Sequence, residues 1–168
     1  MAPDVYSLAH NVITGLGSRT VSVAESLTGG LICSALTQVP GASKVFYGGV
    51  VAYKTDLKAQ LLNVDSELLS NGVVQSDVAL QMALGVARGL GTNFGIATTG
   101  VAGPSSQGGH LPGTVFVAVV EVDENGEMVR ANVENLHIDS PELDPLATRE
   151  FIRNESVRAA LELLLAYL

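Results

Sequence analysis

Cysteine, tryptophan, histidine and positive charge are all scarce in this chain, and each shortage argues against a class of function. The single cysteine, Cys33, falls in a predicted helix on its apolar face. There is therefore no disulfide framework and no clustered thiolate metal site, and a reducing cytoplasm is the expected home. Nine Lys and Arg stand against seventeen Asp and Glu, for a formal charge of −8, and no basic run offers a track for a phosphate backbone. Nucleic-acid binding is disfavoured on that ground. With no Trp and 5% aromatic residues, the core must be built from Val, Leu, Ile and Ala, which suits strands covered by helices. No apolar run approaches the length of a bilayer span, and the start of the chain, with Asp4 and His10, lacks a signal-peptide pattern. A soluble protein with no membrane partner is expected. The histidines, His10, His110 and His137, stand without a motif around them.

What is present is 168 residues, 47% of them hydrophobic, with 18 Gly. This is a natural length for one domain, read as residues 1–168. Residues 4–16 repeat apolar side chains at helical spacing up to Gly15 and Gly17. Thr20 to Val23 alternate as a buried strand that stops at Glu25-Ser26, and a helix with Leu31, Ile32, Ala35 and Leu36 opens at Thr28-Gly29-Gly30. Residues 45–53 form a second extended run whose Gly pair suggests a bulge or a close backbone approach. A short helix with Leu57, Leu61 and Leu62 follows, then a helical segment near Ser66–Leu69 and a longer helix capped at Ser76-Asp77. Residues 94–99 read as a buried strand running into a glycine-rich loop. Strands over 113–122 and 128–138 are joined through Glu124-Asn125-Gly126 with hairpin chemistry. Pro145 to Leu168 reads as a closing helix. Mixed elements with one hairpin predict an α/β fold, a three-layer α/β/α sandwich around a mixed β-sheet.

Four polar clusters fall at the ends of predicted elements. Glu25, Ser26 and Thr28 combine a carboxylate, hydroxyls and free helix N–H groups, which is an anion-friendly place, although Ser26 or Thr28 could simply cap the helix. Tyr53 and Lys54 precede Lys58, and a desolvated lysine can act as a base for a serine where histidine does not. Lys58 could equally be a solvated helix lysine, and Tyr53 could close the sheet. Thr98-Thr99 opens the loop from Gly100 to Gly113, which could cradle phosphate through backbone N–H groups or be a plain connection. It matches neither common nucleotide-binding glycine pattern. Arg149 and Arg153 could grip a phosphate or carboxylate, or pair with Glu150 and Glu155.

Taken in order, AESLTGGLICSALTQVPGAS, GGVVAYKTDLKAQLLNV, TTGVAGP and PGTVFVAV closely resemble the CinA C-terminal domain family of competence/damage-inducible proteins, found also as stand-alone nicotinamide mononucleotide deamidases. The likeness runs from about residue 4 to the C-terminus. It implies metal-free, cofactor-free hydrolysis of nicotinamide mononucleotide to the acid and ammonia, in pyridine nucleotide salvage, by a homodimer or higher homo-oligomer. It assigns Ser26, Tyr53, Lys58 and Thr99 to catalysis. Glu25, Thr28, Gly29, Gly30, Gly100, Gly103 and Arg149 would contact substrate. Ser26 as nucleophile and a water activated in its place both stay open, as does a catalytically silent nucleotide- or partner-binding module. Leu27 replaces a common Cys, Ser105-Ser106-Gln107 interrupts the usual glycine loop, and Ala147-Thr148 stands where a Gly-Asp pair is usual. The large N-terminal domain of full CinA, and any pyrophosphatase activity it carries, is not expected.

Overall fold

A computed structural model describes residues 4–141 and 144–168. Its elements run α1 (Val5–Gly15), β1 (Val21–Glu25), α2 (Leu31–Thr37), a 3-10 turn (Ala42–Lys44), β2 (Phe46–Val51), α3 (Thr55–Leu62), α4 (Ser66–Ser70), α5 (Ser76–Leu90), β3 (Phe94–Gly100), β4 (Thr114–Val122), β5 (Met128–His137) and α6 (Pro145–Leu165). The five strands form one sheet in the order β2-β1-β3-β4-β5. β1 lies parallel to both β2 and β3, and β3, β4 and β5 are successively antiparallel. The predicted mixed sheet and β4–β5 hairpin are therefore present.

The period-two alternation of the central strands supplies both faces of the sheet with apolar side chains. Val21, Val23, Phe94, Ile96, Val115, Val117 and Val119 pack with α1, α2 and α6. Ala24, Ala97, Phe116, Ala118 and Val120 pack with α3, α4 and α5 on the other face. This is the three-layer sandwich. None of the helices among the described residues is long and apolar enough to cross a membrane.

The Gly48-Gly49 pair does what its sequence context predicts. The register between β1 and β2 shifts after Val21, so that Tyr47 is the extra residue of a bulge. A Cβ on Gly49 would fall 2.3 Å from Cys33 Sγ and 3.0 Å from the Val23 carbonyl. Two helix starts differ from expectation. α5 begins with Gln75 as its N-cap and no side-chain cap bond, so Ser76-Asp77 lies inside the first turn. α2 begins at Leu31, after Gly30 in the left-handed region, rather than at Thr28. α6 starts on firmer signals, since the Asp144 carboxylate accepts the Ala147 N–H and Pro145 takes the first turn, where no amide donor is needed.

Besides the side chains of Leu62 and the α5 core residues, α3 and α5 meet at a close backbone approach. A Cβ on Gly85 would fall 1.9 Å from the Leu62 carbonyl oxygen, a rigid atom that cannot step aside. Alanine normally favours a helix over glycine by about 1 kcal/mol, but here overpacking dominates and costs on the order of 1–3 kcal/mol or more. Gly85→Ala is expected to lower the urea unfolding midpoint at unchanged slope; a midpoint at or above the parent's would refute this packing argument.

Candidate active site

β1, β2 and β3 run in the same direction, so their C-terminal ends meet along one edge of the sheet. Crevices at such ends are where open α/β folds place their chemistry. β1 delivers Glu25 and then Ser26; β2 leads to Ala52 and Tyr53; β3 delivers Thr98, Thr99 and Gly100.

Glu25 is fully buried, and its carboxylate accepts the N–H groups of Gly30 at 3.0 Å, Ile32 at 3.1 Å and Cys33 at 2.9 Å. A strand residue thus caps α2, whose own N-cap is a glycine without a side chain. This corrects the sequence expectation for the turn. The helix N-terminus is not free for a substrate anion, because the chain's own carboxylate fills it. The Gly29 N–H donates to the Ser26 carbonyl at 3.1 Å, and the buried Thr28 hydroxyl bonds to that of Thr98 at 2.9 Å. Glu25, Thr28, Gly29 and Gly30 therefore shape the turn. In contrast, the backbone N–H groups of Leu27 and Thr28, both buried residues, make no hydrogen bond among the described residues. These two donors follow directly on Ser26, and Leu27 lines the cleft into which Ser26 opens.

Lys58, on the inner face of α3, is 1% exposed. Its Nζ donates to the Ala52 carbonyl at 2.6 Å and to Ser26 Oγ at 3.0 Å. It forms no ion pair among the described residues. Burial disfavours the ammonium form and pulls the lysine down from 10.5 to about 8. The solvated-lysine reading is overturned. Ser26 is fixed from behind, its N–H donating to the Thr98 carbonyl at 3.1 Å.

Ser26 and Lys58 open into a small cleft continuous with solvent, which Tyr53, Thr99, Gly100 and Arg149 also line. Arg149 reaches in from α6, donating to the Gly103 carbonyl and, at 3.0 Å, to the Tyr53 hydroxyl. The Thr99 hydroxyl donates to the Val73 carbonyl at 2.9 Å. Neither Arg149 nor Arg153 pairs with Glu150 or Glu155; Arg158 takes Glu155 at 3.4 Å. Leu27, Thr55, Val73, Ala102 and Gln107 complete the wall; Thr55, Val73 and Ala102 were not singled out as site residues from sequence, and Leu27 and Gln107 only as departures from the family's usual motifs. No histidine lines this cleft. Cys33 is no rival nucleophile, because burial and the adjacent Glu25 carboxylate push its thiol far above the usual range. Among the described residues, no group of three or more His, Cys, Asp or Glu is placed to hold a metal ion.

The chain is similar to known proteins over most of its length. The CinA C-terminal domain profile matches residues 6–168. A CinA-like protein of Trichodesmium erythraeum is 42% identical over 148 residues, 87% of this chain and 32% of that protein. A CinA-like protein of Synechococcus sp. is 43% identical over 165 residues, 96% of this chain and 37% of that protein. The chain therefore spans about a third of the length of these relatives. Among solved structures, the competence/damage inducible protein CihA from Agrobacterium tumefaciens superposes with a TM-score of 0.86 at 36% identity, over 99% of this chain and 96% of that one. A CinA superfamily protein from Escherichia coli gives 0.86 at 26% identity, over 100% and 94%.

The lysine's depressed pKa has a thermodynamic counterpart. Between about pH 8 and 10.5 the unfolded chain holds the Lys58 proton and the folded one has released it, so this group makes stability rise with pH across that window. Below pH 8 the folded state carries the full cost of the buried charge, on the order of 3 kcal/mol. The stability of Lys58→Met relative to the parent is expected to fall by roughly that amount as pH rises from 8 to 10.5, since the parent alone gains. Chemical denaturation of both proteins across this range measures it, and parallel pH curves would contradict it.

Proposed function

Because the chain belongs to the CinA C-terminal domain family, we propose that it hydrolyses the carboxamide of nicotinamide mononucleotide to nicotinate mononucleotide and ammonia. The choice of substrate rests on the resemblance of the motifs around Ser26, Tyr53, Lys58 and Thr99. The observation that carries the chemistry is the 3.0 Å contact between Ser26 Oγ and a lysine buried without a carboxylate. With a pKa of about 8, roughly a tenth of Lys58 is neutral at pH 7, against about one part in three thousand for a lysine at 10.5. Desolvation thus raises the supply of free amine about three-hundredfold, while leaving an acid strong enough to return the proton.

In this reading neutral Lys58 takes the Ser26 proton as Oγ attacks the carboxamide carbon. Negative charge develops on the carboxamide oxygen, and the unpartnered N–H groups of Leu27 and Thr28 are donors available to it without breaking any existing bond. The tetrahedral adduct collapses when the Lys58 ammonium protonates the amide nitrogen, which leaves as ammonia. Water then attacks the resulting ester, giving a proton to Lys58, and Ser26 Oγ recovers a proton as the acid departs. Tyr53 and Thr99 line the cleft beside this pair and are suited to orienting the amide. Arg149 supplies positive charge on the same wall for the substrate's phosphate.

The test is ammonia release from nicotinamide mononucleotide by the purified chain. One equivalent per nucleotide is expected, with kcat/KM rising through about pH 8 to a plateau. Ser26→Ala and Lys58→Ala should each lose about a thousandfold or more in kcat while remaining folded. Full activity in Ser26→Ala would instead make an activated water the nucleophile. Binding of the nucleotide without ammonia release would make this a binding module.

A further inference from the structure

Arg153 lies on α6, 126 positions along the chain from Leu27, with its guanidinium inserted beneath the turn that carries Ser26. Its Nε donates to the Leu27 carbonyl at 3.0 Å and its Nη2 to the Thr28 carbonyl at 3.2 Å. The guanidinium has no carboxylate partner among the described residues. Gly29, at φ +58°, leaves it room, since a Cβ there would stand 3.3 Å from Nη2. An arginine fork spent on two successive carbonyls directly after a candidate nucleophile is a specific arrangement, which a single-point lysine ammonium cannot reproduce.

The consequence follows from peptide planarity. In a trans peptide the N–H of one residue points opposite to the carbonyl of the residue before it. By taking the Leu27 and Thr28 carbonyls, Arg153 sets the planes that carry the Thr28 and Gly29 N–H groups. The second of these closes the turn on the Ser26 carbonyl at 3.1 Å, and the first makes no hydrogen bond among the described residues. We propose that Arg153 is a positioning residue for the reaction, one that holds Ser26 Oγ at Lys58 and keeps the Thr28 N–H turned away from α6 as a free donor. The inference rests on the serine reading of the site given above.

The experiment compares the parent with Arg153→Lys and Arg153→Ala in two assays, steady-state ammonia release and the rate at which a fluorophosphonate probe labels Ser26, read by mass spectrometry. Arg153→Lys should lower kcat and the labelling rate each by tenfold or more with KM within about twofold, and the pH dependence should keep its rise near pH 8 because Lys58 is untouched. In Arg153→Ala, millimolar guanidinium should restore kcat in a saturable way without shifting the thermal midpoint, an effect that lost packing alone does not produce. Parent-like kcat and labelling in Arg153→Lys, or losses that only follow the folded fraction, overturn the proposal. A parent that labels at Ser26 but releases no ammonia overturns the substrate assignment alone, and the labelling comparison still decides the role of Arg153. A parent that neither labels nor releases ammonia overturns both.

Discussion

A lysine ammonium held out of water with only a hydroxyl and a carbonyl for partners is costly, and the rest of this architecture makes sense as what keeps it there. Nothing in the local sequence of α3 demands that Lys58 point inward. It is driven to do so because α3 is locked onto α5 at the Leu62–Gly85 contact, and because Ala52, at the end of β2, presents a carbonyl at 2.6 Å. The absence of a carboxylate partner among the described residues is the telling feature, since an ion pair would restore the proton affinity that burial removes. A stability-optimised core would hold an apolar side chain here; a protein that retains the lysine accepts the cost for its basicity.

Glu25 and Lys58 divide the polar work between them. The negative charge at the end of β1 could have neutralised the lysine, but it is turned instead into the N-terminus of α2, where three amide donors satisfy it. This keeps carboxylate and ammonium from cancelling one another. With α2 beginning only at Leu31, Ser26 stands in the turn that faces the cleft rather than inside a helix. Ties to the sheet and to the helical layer packed on it then fix the turn. The Thr28–Thr98 hydroxyl pair ties the turn to β3, and Arg153 ties it to α6.

The sequence was informative where a signal is local and periodic. Alternation in Val21–Glu25 and Thr114–Val122, the Asn-Gly chemistry before β5 and the apolar spacing of α5 are all properties of short windows, and these elements stand where such reasoning puts them. Spacing alone reached only separate polar clusters at element ends, and it was the family resemblance that grouped Ser26, Tyr53, Lys58 and Thr99. The structure lines one cleft with these and with Gly100 and Arg149, the strand-end residues brought together by parallel strands and Lys58 and Arg149 brought in from α3 and α6. Local signals failed where partners are remote. Capping rules search for a Ser, Thr, Asp or Asn beside the helix and so pass over Glu25, which reaches back to α2 from a strand. Charge pairing along a helix suggested Glu150 and Glu155 as partners for Arg149 and Arg153, but only Glu150 and Arg153 stand at a helical contact spacing, and an ion pair on a wet surface offers little. Backbone carbonyls from another layer won instead.

Arg149 and Arg153 stand one turn apart on α6, so they face the same way, yet they do different work. Arg149 reaches over the cleft to Gly103 at the start of the glycine loop and to Tyr53 after β2, joining two walls that no strand pairing connects. Arg153 passes underneath and holds the turn after β1. The last helix is therefore more than a cover for the sheet. The parallel strands bring the reactive groups to one edge, Lys58 and the Thr28–Thr98 pair join the segments after β1 and β2 to the end of β3, and α6 adds two arginine ties, one across the cleft and one beneath the turn after β1.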